Sequence, residues 1–199
     1  RLSPAQFRED VRRSKAQLEQ LTGQAVRGYR APDFSIVKSS LWAFDVLAEE
    51  WFAYDASVNP AGLARFGVPD FPAQPVRLEL SGGRTLVELP VATLRALGRN
   101  LPVAGGGYHR LLPFSAIRWA IERTVLVGDV FVAYCHPYEF DPDEFAHLDL
   151  PLPLKTRLHQ GLGRRGFEGK FRRMLREFET QLAGDMAARP DWPAQALGG

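Results

Sequence analysis

The sequence predicts an α/β fold, and three observations carry the prediction. Amphipathic helical segments alternate with very short apolar strands, their connections are only a few residues long, and a Gly-rich turn separates two further strand segments. Alternation with short connections is the pattern of a parallel α/β layer or barrel. The Gly-turned pair enters that scheme as an inserted antiparallel β-hairpin.

The elements follow in order. Ser3-Pro4-Ala5-Gln6 is a helix start: Ser3 caps free amides, Pro4 tolerates the first helical position, and Gln6 reaches back as a capping box. Phe7, Val11, Leu18 and Leu21 supply the apolar stripe, and Gly23 the stop. A strand over 26–29 ends at Arg30-Ala31-Pro32. A largely buried helix follows over 41–50, carried by Leu41, Trp42, Phe44, Val46 and Leu47, and a strand over 52–54 ends at Asp55. Segments 76–80 and 85–89 flank Ser81-Gly82-Gly83-Arg84 as the hairpin. Gly105, Gly106 and Gly107 read as a loop, 113–123 as a helix, and 130–134 as an apolar strand ending at Cys135-His136-Pro137. Alternating prolines make 149–154 an extended surface segment. Phe171, Met174, Leu175, Phe178 and Leu182 mark an amphipathic helix over 168–182, and the last residues, 194–199, are expected to fray.

Composition narrows the classes. With 199 residues, 45% hydrophobic and 24% charged, the chain suits one ordinary core and excludes disordered, collagen-like and disulfide-dense proteins. A single cysteine, Cys135, excludes an internal disulfide and any multi-cysteine metal site, and only four histidines are present. Net charge is +2, and the basic run Arg164, Arg165, Lys170, Arg172, Arg173 and Arg176 is interleaved with Glu168, Glu177 and Glu179. That is a mixed solvated face, so no nucleic acid is expected as partner. The apolar run 125–135 is too short to span a bilayer. The chain opens on Arg1 and directly on a helix cap, the look of a piece of a longer precursor.

Arg30, Asp55 and His136 each sit just beyond the end of a short apolar strand. Strand C-termini share one rim in a parallel sheet or barrel, so these residues are expected to face one cavity. Glu88, before Pro90, approaches the same rim. Each has a plainer alternative: Arg30 as a loop salt bridge, Asp55 as a turn cap through Ser57 and Asn59, His136 as a structural histidine. Imidazole is the proton-transfer group of neutral pH, which favours His136 for acid–base work. The loop from Ala104 to Arg110 is neither a P-loop nor a dinucleotide fingerprint. It is either a sugar-facing loop presenting Tyr108 or a tight packing turn.

Gly28-Tyr29-Arg30-Ala31-Pro32, Tyr54-Asp55-Ala56-Ser57 and Tyr134-Cys135-His136-Pro137 together resemble the polysaccharide deacetylase family, the NodB-homology or carbohydrate esterase family 4 enzymes. Phe7-Arg8-Glu9-Asp10, Gly105-Gly106-Gly107-Tyr108 with Arg110, and 136–142 resemble the subgroup encoded beside bacterial exopolysaccharide and exosortase loci. The resemblance implies a partial or distorted (β/α) barrel acting on an N-acetylated polysaccharide or oligosaccharide of bacteria. It assigns catalytic roles to Arg30, which orients a catalytic aspartate, to Asp55, which tunes the histidine, and to His136, the general acid. It places Tyr29, Pro32, Gly106, Gly107, Tyr108 and Arg110 at the substrate.

Some features depart from the family. Val58 and Asn59 stand where its middle motif has a second aspartate and a tryptophan. The motifs bearing the base aspartate and the metal-binding Asp and His residues are absent and are expected upstream of Arg1. A divalent metal, zinc by family habit, is therefore implied for the full-length enzyme, with no metal ligand assigned in this chain. Residues 1–148 are read as the C-terminal portion of the deacetylase domain and 149–199 as an extension. Truncation also leaves an open sheet edge prone to self-association. The alternative is a non-catalytic carbohydrate-binding or scaffold protein on the same fold.

Overall fold

A computed structural model describes residues 2–62, 66–128, 130–147 and 152–197. In chain order these form α1 (Pro4–Thr22), β1 (Gly28–Tyr29), α2 (Ala43–Glu49), β2 (Tyr54–Asp55), β3 (Val76–Glu79), β4 (Thr85–Glu88), β5 (Thr93–Ala96), β6 (Arg99–Pro102), α3 (Gly106–Leu111), α4 (Phe114–Gly128), α5 (Glu144–His147), α6 (Leu154–Gly161), α7 (Arg164–Glu177), α8 (Ala183–Ala187) and β7 (Ala194–Ala196). They fall into two compact units. The first comprises Arg1–Val91 with Gln181–Gly199, and the second Ala92–Thr180.

The first unit is built on a mixed sheet of order β1-β2-β4-β3-β7. β1, β2 and β4 run parallel, β3 returns antiparallel to β4, and β7 lies parallel to β3. The fold is therefore α/β, and the predicted hairpin is present as β3 and β4. Its second strand is embedded in the parallel layer beside β2, so the hairpin is part of the sheet rather than an ornament on it. The terminal segment expected to fray instead supplies β7. Its backbone finds partners along β3, where Arg77 N–H donates to the Pro193 carbonyl and Arg77 Nη2 to that of Pro190.

α1 starts as its sequence dictates. Ser3 Oγ accepts from the Gln6 amide at 3.3 Å while the Gln6 side chain accepts from the Ser3 amide at 2.8 Å, and Gly23 ends the helix in the left-handed region. Phe7 and Val11 are buried, but Leu18 and Leu21 are not. The apolar stripe is core only over its first half, because farther along Arg12 and Lys15 anchor the helix through the Glu50 carboxylate and carbonyl. The core beneath α1 and α2 gathers Phe44, Leu47, Val58, Leu78 and Leu86, all at or below 1% exposure. Phe7 meets Tyr29 and Trp42 edge-on, with ring centroids 5.8 Å apart in both pairs.

In the second unit β5 and β6 form a two-stranded hairpin that periodicity did not reveal. The expected strand over 130–134 is an extended segment with no ladder of its own, and Asp129 beside it lies outside the described residues. Its bonds are divided between two neighbours: Val132 accepts from Ala92, while Tyr134 donates to Ala104 and bridges Gly105. The expected glycine loop opens α3 with Gly105 as its N-cap. α4 runs past the predicted end at 123 to Gly128. The expected helix over 168–182 is α7, which starts earlier and stops at Glu177, where Phe178 turns extended. Residues 149–151 of the expected proline-rich surface segment lie outside the described residues, and Leu154 opens α6.

Candidate active site

The parallel register aligns Tyr29, Asp55 and Glu88 in one row across the ends of β1, β2 and β4, pairing Tyr29 with Asp55 and Asp55 with Glu88. Partners in register present their side chains on the same face of a sheet, so the ladder itself forces two carboxyl groups together. β1 and β2 approach closely because residue 28 is glycine: a Cβ there would lie 2.1 Å from the Tyr54 ring.

Asp55 and Glu88 are both fully buried. Asp55 accepts from the Ser57 amide at 2.8 Å and the Ser57 hydroxyl at 2.7 Å. Glu88 Oε1 accepts from the Val58 amide at 3.0 Å, and among the described residues no N–H or hydroxyl donor reaches its other oxygen. Burial, then the negative charge of Asp55, hold the Glu88 carboxyl well above the usual carboxylate range, while the Val58 amide and the charge of Arg30 act against them. Burial also raises Asp55, opposed by its bonds to Glu88 and to Ser57. Of these two neighbouring carboxyls, Glu88 is the one held farther toward its protonated form. Desolvation and the charge of Asp55 push the half-buried Tyr29 hydroxyl up to about 12.

Arg30 leaves β1 at the exposed rim. Its Nε donates to the Ala56 carbonyl at 2.8 Å, its guanidinium lies over Phe34, and its charge is felt at Glu88. Pro32 is exposed at the start of a short 3-10 turn. Asp55 caps a turn through Ser57 and is paired in register with Glu88. Asn59 takes no part in that cap and bonds the Ala61 amide instead. Val58 contributes its backbone to Glu88 and its fully buried side chain to the core.

His136 belongs to the second unit. It is exposed, and its ring stacks on Tyr138 at 5.2 Å and 9° while meeting Tyr134 edge-on at 5.9 Å. Its amide donates to Glu139 Oε2 at 2.9 Å. Glu139 Oε1 accepts from Arg110 Nε at 2.9 Å, in an ion pair with side chains only 3% and 1% exposed. Arg110 Nη1 donates to the carbonyls of Gln160 and Leu162. Gly106 lies against the Glu139 carboxylate, and a Cβ there would fall 1.8 Å from Oε2. Of the residues the resemblance placed at the substrate, Arg110 and Gly106 are thus buried in this network, Gly107 is half-buried, and Tyr108 is exposed.

Sequence reasoning missed three contributors. Ser57 entered only as a turn partner, Glu139 only inside a motif, and Arg164 only as one of a basic run. Arg164 is 3% exposed, packs over Tyr138 and Phe145, and donates to Asp141, Glu144 and Gln160. Lys170, from the same run, donates to the carbonyls of His109, Arg110 and Leu112 at the end of α3. Internal spacing gave one usable signal for Glu139: it stands three residues after His136, the distance at which a carboxylate reaches back to a cap amide.

Among the described residues no three His, Cys, Asp or Glu gather in a way that could hold a metal ion. The buried acids do not fit that role either: Asp55 is taken up by Ser57, Glu88 by the Val58 amide, and Glu139 by Arg110 and the His136 amide.

A crystal structure of a Mycobacterium smegmatis protein, provisionally named a polysaccharide deacetylase, shares 20% identity over 96% of this chain, with a TM-score of 0.49. The match covers 54% of that protein, so this chain spans about half its length. No curated protein matches the chain. Residues 56–187, more than half of the sequence, match the domain of unknown function DUF3473. The chain belongs to the DUF3473 family.

Proposed function

We propose that the chain is the part of a metal-dependent polysaccharide deacetylase that carries its proton donor, and that the whole protein hydrolyses N-acetyl groups of a bacterial glycan. The observation that supports this best is the buried Asp55–Glu88 pair beside Arg30, at the C-terminal ends of parallel strands, where α/β folds hold their ligands. In this reading a carboxylate base of the whole protein takes a proton from water as it adds to the acetyl carbon, the C–N bond breaks, and His136 gives its proton to the departing nitrogen, leaving a free amine and acetate. Arg30 and Asp55 are positioning residues in the first unit. The described residues contain no ligand set for that metal.

Acetate release from an N-acetylated oligosaccharide by the full-length protein tests the reading. Replacing His136 by Ala is expected to lower kcat by ~100-fold or more, the usual scale for a positioned general acid. Equal rates for the two proteins remove His136 from that role.

A further inference from the structure

We propose that the buried Glu139–Arg110 pair is the positioning device of His136. The inference rests on the reading of His136 as the proton donor. An ion pair removed from water is weak evidence of stabilisation, because desolvation offsets most of its attraction. What it gives without question is fixed geometry. The planar fork of Arg110 joins α3 to the end of α6 through the Gln160 and Leu162 carbonyls, and its Nε holds Glu139. The second oxygen of Glu139 holds the amide of His136. Gly106 completes the arrangement, since any side chain there would occupy the space of the carboxylate.

The ring of His136 is held by a second route. It stacks on Tyr138, and Tyr138 packs against Arg164, whose Nε is fixed by Gln160 and whose Nη1 is fixed by Asp141 and Glu144. Backbone and ring therefore both lead back to buried arginines, while the imidazole itself is exposed. A proton donor must be reachable by substrate yet held within a fraction of an ångström, and this network meets both demands. Glu139 and Arg110 act through His136 and are positioning residues, not catalytic ones.

The stack gives a direct readout. Parallel Tyr138 should shift the His136 ring protons upfield in the NMR spectrum, with Tyr138→Ala as the unstacked reference. Two variants are compared, Glu139→Gln and the double replacement Arg110→Met with Glu139→Leu, which retains packing without charge. The expected result is a folded protein whose His136 resonances move to the unstacked position. In the full-length protein, kcat is then expected to fall by about 100-fold with KM unchanged, the scale of a misplaced reacting group. Folded variants with unshifted His136 resonances overturn the proposal, and unfolding of both variants overturns it in favour of a purely structural pair. An active His136→Ala protein removes the proton-donor reading instead, and the resonances still decide the positioning.

Discussion

The two units bury charge-bearing side chains by opposite means. In the first, Asp55 and Glu88 are like groups brought together by strand register, and burial with the charge of Asp55 holds the Glu88 carboxyl well above its usual range. In the second, Glu139 and Arg110 are unlike groups brought together by helix packing, and each is the answer to the other's charge. The first arrangement depends on pH. The second depends on the presence of both partners. A buried carboxylate is thus not one kind of feature, because its neighbour decides what will disturb it.

The largest effect should come from breaking the unlike pair on one side only. Arg110→Ala strands the Glu139 carboxylate and is expected to cost about 3–5 kcal/mol in chemical denaturation, against a near-neutral change when both partners are replaced by apolar residues of similar volume. Comparable losses for the single and double replacements would show that packing, not charge, holds this region.

In the first unit, Ser57→Ala removes a hydroxyl that donates to Asp55 and also accepts from the Ala31 amide at 2.7 Å. A loss of about 1–3 kcal/mol is expected, the range for leaving a buried partner unsatisfied. Denaturation of the variant at pH 7 measures it, and an unchanged midpoint would mean that the Ser57 amide alone suffices for Asp55.

The like pair should reveal itself through pH. The folded state holds a proton on Glu88 to higher pH than the unfolded chain does. Its contribution is therefore fully present below the ordinary glutamate range near ~4.3 and is lost as pH rises toward the elevated value. The slope is at most about 1.4 kcal/mol per pH unit within that window. Glu88→Gln keeps an acceptor for the Val58 amide and a donor for Asp55, so it should fold well and lose this slope. A variant as pH-sensitive as the parent would place the proton elsewhere.

These contrasts explain what could be read from the sequence. The start of α1 was legible because capping is local: Ser3, Pro4 and Gln6 contain the whole signal. The meeting of Asp55 and Glu88 was approachable because short strands announce their ends, and parallel register does the rest. Glu139 was not legible as a buried group, since its partner Arg110 is 29 residues away and joins it only through helix packing. β5 and β6 escaped because their Leu97-Gly98 turn, with both residues at positive φ, lacks the usual Asn-Gly or Asp-Gly marker. The end of α7 escaped because Phe178 and Leu182 continue the helical spacing after the backbone has become extended. β7 was hidden in a short Ala-Gln-Ala run whose strand character comes from its neighbour β3.

The smallest effect is expected on the surface of α1, where apolar periodicity and burial part company. Phe7 and Val11 continue into the core, but Leu21 is 82% exposed although it obeys the same spacing. Leu21→Gln should therefore change stability by no more than about 0.5 kcal/mol, as exposed replacements away from caps and cores do. Glutamine has nearly the helix propensity of leucine, so the backbone contributes little to the difference. Thermal denaturation beside the parent protein measures it. A loss of about 2 kcal/mol, the scale of a buried leucine side chain, would show that the far end of α1 is covered in the protein as it exists, and that the whole predicted stripe, rather than its first half, is core.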